Sequence, residues 1–122
     1  MSTVAIRGAT TVEDNTADNI LEATRDLLSV IEKNNNIDRD KVISIIFTCT
    51  SDLDKAYPAK AARQLGYLNA ALMCFNEMYV VGSLRKCIRV MVLYNSDMEQ
   101  KDVKHIYLKD AKALRPDLSY KA

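Results

Sequence analysis

Histidine occurs once in this 122-residue chain, tryptophan never, glycine three times and proline twice. His105 stands alone, and Cys49, Cys74 and Cys87 form no C-x-x-C pair. That pattern argues against a structural zinc site or a disulfide framework, and reduced thiols suit a cytoplasmic chain. Glycine and proline are too sparse to build a linker, so a single domain over residues 1–122 is expected, with a mobile tail over 116–122 where Pro116 stops regular pairing. Charge of one sign is missing as well. Seventeen Lys and Arg stand against sixteen Asp and Glu, a net charge of +1, which offers no field for nucleic acid or an anionic membrane. The longest apolar run, Ala70 to Phe75, falls far short of the ~20 residues that span a bilayer. The opening Met1-Ser2-Thr3-Val4-Ala5 lacks the basic stretch and apolar core of a secretory signal. No Gly-rich phosphate loop, G-x-S-x-G or H-E-x-x-H occurs, and the six tyrosines are not interleaved with a basic stripe. Chemistry without metal or histidine base is the expectation.

What is present reads as an α+β domain with a mixed sheet of about five strands, one long helix and one short one. Ile20, Thr24, Leu27, Leu28 and Ile31 recur at helical spacing, while Glu22, Arg25, Asp26, Ser29 and Glu32 take the other side. The spacing predicts a helix over 17–33, capped by Asn15 or Thr16 and leaving through Asn34-Asn35-Asn36 in a left-handed turn. A shorter helix should start at Pro58 and end at Gly66. Val42 to Thr48 and Ile88 to Tyr94 are apolar on both alternating positions, which places them centrally in the sheet and buried on two sides. Weaker strand signals lie at Val4 to Arg7, Leu68 to Met73 and Lys104 to Leu108, with a last short stretch at Lys112 to Leu114.

Arg89 is the most informative residue. It sits in Cys87-Ile88-Arg89-Val90-Met91-Val92-Leu93-Tyr94, and a guanidinium that cannot lose its proton needs a polar or anionic partner if buried. It could equally reach water along its aliphatic stem, or form a structural ion pair. Glu77, within Cys74-Phe75-Asn76-Glu77-Met78, poses the same question from the acidic side. The two could pair structurally, or face one cavity and each hold a different part of a bound molecule; periodicity does not choose. Arg7 precedes Gly8 at a strand end, Lys60 and Arg63 share a helix face, and Arg115 precedes Pro116. Each cation taken alone is ordinary surface, yet several beside turns suit a small polyanion. Cys74 has no histidine near it in sequence to activate it.

Together these residues resemble the monofunctional AroH-class chorismate mutases. The likeness runs through Arg7-Gly8-Ala9-Thr10-Thr11-Val12-Glu13 and Tyr57-Pro58-Ala59-Lys60-Ala61-Ala62-Arg63. It continues through Cys74-Phe75-Asn76-Glu77-Met78 and the highly specific Leu84-Arg85-Lys86-Cys87-Ile88-Arg89-Val90-Met91. His105-Ile106-Tyr107-Leu108 and Leu114-Arg115-Pro116-Asp117-Leu118 complete it, in order over nearly the whole chain. The resemblance implies a homotrimer whose mixed sheets pack as a pseudo-α/β barrel with helices outside and an active site at each subunit interface. It implies rearrangement of chorismate to prephenate on the route to phenylalanine and tyrosine, a pericyclic step that needs no cofactor. By that likeness Arg89 and Glu77 are catalytic, Arg7 and Tyr107 hold the enolpyruvyl carboxylate, and Cys74 lies near the ring hydroxyl. Tyr57, Ala59, Lys60, Arg63, Leu72, Met73, Leu114 and Arg115 correspond to wall, rim and tail. Three positions depart from the family pattern: Tyr57 replaces a common phenylalanine, Met73 a common threonine, and Ser83 a common second glycine. Two other readings stay open on the residues alone: a trimeric module that binds a small dicarboxylate without turning it over, and a structural domain whose Arg89–Glu77 pair only orders its core.

Overall fold

The computed structural model describes residues 2–118. Its sheet has five strands: β1 (Ser2–Thr11), β2 (Val42–Cys49), β3 (Ala71–Asn76), β4 (Cys87–Ser96) and β5 (Ile106–Tyr107). They lie in the order β3-β2-β4-β1-β5. The sheet is mixed: β4 runs antiparallel to β1 and β2, while β3 is parallel to β2 and β5 to β1. Helix α1 (Ala17–Asn35) crosses β1 and packs on α2 (Pro58–Leu65), which lies against β3.

Local chemistry sets these elements. Thr16 caps α1 by accepting from the Asn19 amide, and Asn36 ends it at φ 53°, a left-handed value asparagine tolerates. The buried Thr24 hydroxyl donates to the Ile20 carbonyl, so a polar group enters the core satisfied. Pro58 opens α2, and Gly66 closes it at φ 107°. Both helix expectations hold, with α1 running two residues longer than the spacing indicated.

Strand alternation divides the sheet into two faces. Val4, Ile6, Ile45, Phe47, Ile88, Val90 and Val92 point under the helices and form the core with Ile20, Leu27, Leu28 and Ile31. At Gly8 the helix comes so close that a Cβ would sit 2.9 Å from Ile31 Cδ1 and 3.0 Å from the Ile106 carbonyl oxygen. The opposite face is not covered by helices. Met73, Phe75 and Met91 stand exposed on it, and Leu93 is half-buried there. β2 and β4 are therefore interior strands as expected, but each is buried on one side rather than two.

Two strand expectations need correction. β3 begins at Ala71 rather than Leu68, because the chain leaving the Gly66 cap is still turning, with the Leu68 amide donating to the Gly66 carbonyl. Lys112 to Leu114 belongs to a 3-10 helix over Lys109–Leu114, not a strand. That turn presses Ala111 and Leu114 onto Ala9, Cys87 and Tyr107 at one end of the open face. Of the tail, Pro116–Leu118 forms a further 3-10 turn, and residues 119–122 lie outside the described residues.

Candidate active site

Register assigns the functional side chains to faces. Arg89 on β4 lies opposite Ala9 on β1 and Thr48 on β2, so it projects from the open face. Glu77 follows the last residue of β3, and its amide donates to the Cys49 carbonyl at 2.9 Å. Its Oε1 lies 3.2 Å from Arg89 Nε and accepts from the Thr48 hydroxyl at 2.6 Å. The pair is half in solvent, with side-chain exposure of 47% for Arg89 and 24% for Glu77. Of the two alternatives left open by the sequence, the pairing is present, on the exposed sheet face. Glu77 also lines a cavity of about 450 Å³ with Thr50, Asp52, Met78, Tyr79 and Arg85.

The entry to β4 is held by a hydroxyl–carboxylate clasp. Asp52 accepts from the Lys86 amide at 3.0 and 3.1 Å and from Thr50 Oγ1 at 2.5 Å. Thr50 Oγ1 in turn accepts from the Cys87 amide at 3.0 Å. These contacts support the left-handed Lys86, φ 49°, three residues before Arg89. Burial pushes the Cys87 thiol up to about 11 against the pull of the Arg89 charge, so it stays a thiol at neutral pH.

At the β1–β5 end, Arg7 and Tyr107 also fall on the open face, since Ala9 pairs Tyr107 and Arg7 pairs Met91. The Arg7 amide donates to His105 Nδ1 at 2.9 Å. Burial, then the charges of Arg7 and Arg115, holds His105 below its ordinary pKa, so it acts as a neutral acceptor. Tyr107 is buried beside Leu114, and Arg115 makes a two-point pair with Asp117 at 3.1 and 2.9 Å.

The remaining expected residues lie at the other edge. Cys74 points to the helix-covered side and lines a cavity of about 490 Å³ with Cys49, Lys55, Tyr57 and Phe75. Burial, with Cys74 and Cys87 adding to it, raises the Cys49 thiol to about 12. Arg63 and Leu72 border a separate cavity of about 250 Å³ with Tyr67 and Leu68. Lys60, Tyr57 and Met73 are exposed, while Ala59 is packed in the core. The fold therefore unites Arg89 and Glu77, and sets Arg7, Tyr107, Leu114 and Arg115 at one edge. It leaves Tyr57, Lys60, Arg63, Leu72, Met73 and Cys74 at the other. Thr48, Thr50 and Asp52 were not singled out in the sequence. The available signal was a hydroxyl recurring on one side of an apolar strand, at Ser44 and Thr48.

Among the described residues no group of three or more His, Cys, Asp or Glu could hold a metal ion, and no helix is long and apolar enough to cross a membrane. The protein is a mixed five-stranded α+β domain that carries Arg7 and Arg89 on one open sheet face. The model of the family chorismate mutase type I matches residues 3–118. Chorismate mutase AroH of Thermus thermophilus is 46% identical over 114 residues, covering 93% of each chain. Chorismate mutase AroH of Bacillus subtilis (strain 168) is 44% identical over 115 residues, 93% of this chain and 91% of that one. Among solved structures, the chorismate mutase of Clostridium thermocellum superposes with a TM-score of 0.87 at 57% identity, covering 89% of this chain and 97% of that one. The chain belongs to the type I chorismate mutases and is an isomerase.

Proposed function

We propose that this isomerase converts chorismate to prephenate at sites shared between subunits of a homotrimer, with Arg89 and Glu77 at the reacting bonds. The observation that carries this reading is the Arg89–Glu77 pair on the open sheet face, within a family match that spans nearly the whole chain.

The reaction is intramolecular, so the residues need supply neither nucleophile nor proton. Chorismate carries two carboxylates, and as its ether C–O bond breaks, the enolpyruvyl oxygen grows negative and the ring fragment positive. Arg89 donates through its terminal nitrogens to that oxygen and to a substrate carboxylate, while its Nε stays on Glu77. The Glu77 carboxylate faces the ring, favours its positive charge and accepts from the ring hydroxyl. Arg7 and Tyr107 hold the enolpyruvyl carboxylate, with Leu114 and Arg115 closing that side. Folding the flexible substrate into its reactive shape helps, but only the conformer part of that gain remains for a reaction already within one molecule. Charge that grows during the step rewards a fixed donor more, so Arg89 supplies the main differential term.

Two features support an interface site. Adjacent strands lie ~4.8 Å apart, so the β3 edge is ~19 Å from β5 across the sheet, too far for one small dicarboxylate to touch both in one subunit. A neighbouring copy that sets its α2–β3 edge against the β1–β5 end would bring Tyr57, Lys60, Arg63, Met73 and Cys74 to Arg7, Arg89 and Tyr107. The exposed Met73, Phe75 and Met91 suit burial in such a contact, and in a closed pseudo-barrel of three sheets. A cytoplasmic setting suits the reduced cysteines.

The test is loss of chorismate absorbance with prephenate formed in equal amount, measured beside the mass in solution. Turnover by a trimer supports the reading; tight binding of a bicyclic transition-state analogue with no conversion would make the protein a dicarboxylate-binding module instead.

A further inference from the structure

We infer that Thr48 is a positioning residue for the rearrangement, acting through Glu77; the inference rests on the role proposed above for that carboxylate. Thr48 is the register partner of Arg89 on the neighbouring strand, so both project from the same face side by side. Its hydroxyl donates to Glu77 Oε1 at 2.6 Å, the oxygen that lies 3.2 Å from Arg89 Nε. The Glu77 amide is tied to the next residue of β2 through the Cys49 carbonyl. Glu77 thus lies outside any strand yet is fixed to β2 twice, by backbone and by side chain.

This division of contacts has a chemical result. Oε1 is occupied by a hydroxyl and a guanidinium nitrogen, and among the described residues Oε2 accepts no hydrogen bond. Thr48 thereby sets the rotation of the carboxylate so that Oε2 is the oxygen presented to the ring side of a bound substrate. It also holds Oε1 against Nε of Arg89, which leaves the two terminal nitrogens of the guanidinium for the breaking ether bond. Without the hydroxyl, Glu77 can swing to take a terminal nitrogen of Arg89 in a two-point grip, the geometry such pairs favour, and Arg89 is drawn from the substrate. Thr48 touches no substrate atom itself.

Thr48→Val keeps the shape and removes the hydroxyl; Thr48→Ser keeps the hydroxyl and removes a methyl. The expected result is a fall in kcat of about tenfold for Thr48→Val, the scale of one hydrogen bond to a charged group. Its KM should change less than about twofold, since the loss falls on the transition state. Thr48→Ser should recover most of the lost kcat, and Thr48→Val should cost nothing further in a Glu77→Ala background. Wild-type kcat in Thr48→Val overturns the inference, as do equal losses in the valine and serine variants, which would mark a packing role. Glu77→Gln is assayed alongside. If it is inactive while Thr48→Val is normal, only the role of Thr48 fails; if it turns over fully, the assignment of Glu77 itself falls and Thr48 with it.

Discussion

At the scale of single residues, a guanidinium 3.2 Å from a carboxylate on a half-exposed sheet face is too wet to be a strong stabiliser of the fold. Its value lies in what it holds ready. Replacing Arg89 by Gln should therefore lower kcat by about 10²- to 10³-fold, the cost of removing one donor aimed at developing charge, with a smaller change in KM. A rise in KM alone would contradict the assignment. His105 makes a different prediction. Its Nδ1 accepts from the Arg7 amide, and its pKa sits below the ordinary 6.5. The unfolded chain then takes up the proton first as the pH drops, so the stability this residue adds is complete above about 6.5 and is lost on acidification below it. The melting temperature should fall between about pH 7.5 and about pH 5.5, and His105→Asn, which keeps an acceptor near the Nδ1 position without titrating, should flatten that slope. The Glu32 carboxylate does not confuse the result. Burial raises it, but the hydrogen bonds from Arg39 and Tyr67 bring it below 4.5, so its contribution is lost only in a more acid range. An unchanged slope in the Asn variant would remove His105 as the source.

At the scale of elements, Gly8 is where α1, β1 and β5 meet most closely. A methyl there would press on Ile31 and on the backbone oxygen of Ile106, which cannot turn aside. Gly8→Ala should cost about 1–3 kcal/mol in denaturant unfolding, typical of overpacking. A smaller loss would mean that β5 can shift, and Arg7 and Tyr107 with it. The helices were legible because their signals are local: Thr16, Asn36, Pro58 and Gly66 act within a turn of where they stand. The β3 start was misread because Leu68 is apolar yet exposed, and no sequence spacing tells an exposed leucine from a paired one. Lys112 to Leu114 misled for a related reason, since a 3-10 turn with one buried alanine leaves no period to detect. Arg89 and Glu77 drew attention as charges in apolar surroundings, but Thr48 did not. Its importance comes from cross-strand register, which is fixed only once β2 and β4 are aligned.

At the scale of the whole molecule, the exposed apolar residues of the open face are those the proposed contact between copies would cover. Met91→Lys, near the centre of that face, should shift the sedimenting species towards a single subunit and abolish turnover in parallel, while the far-ultraviolet circular dichroism stays native. Full activity in a monomeric variant would show that one subunit suffices. The long β1–β4 ladder bears on how the chain is made as well as on how it works. Ser2 pairs with Ser96 and Thr11 with Cys87, so β1 is made long before the strand it pairs with. At ~5–20 residues/s, that strand waits several seconds with its edge open before it can zip shut. The nascent polypeptide is then most exposed to aggregation before β4 emerges, and the arrival of β4, rather than that of the first helix, sets when the β1 edge can close.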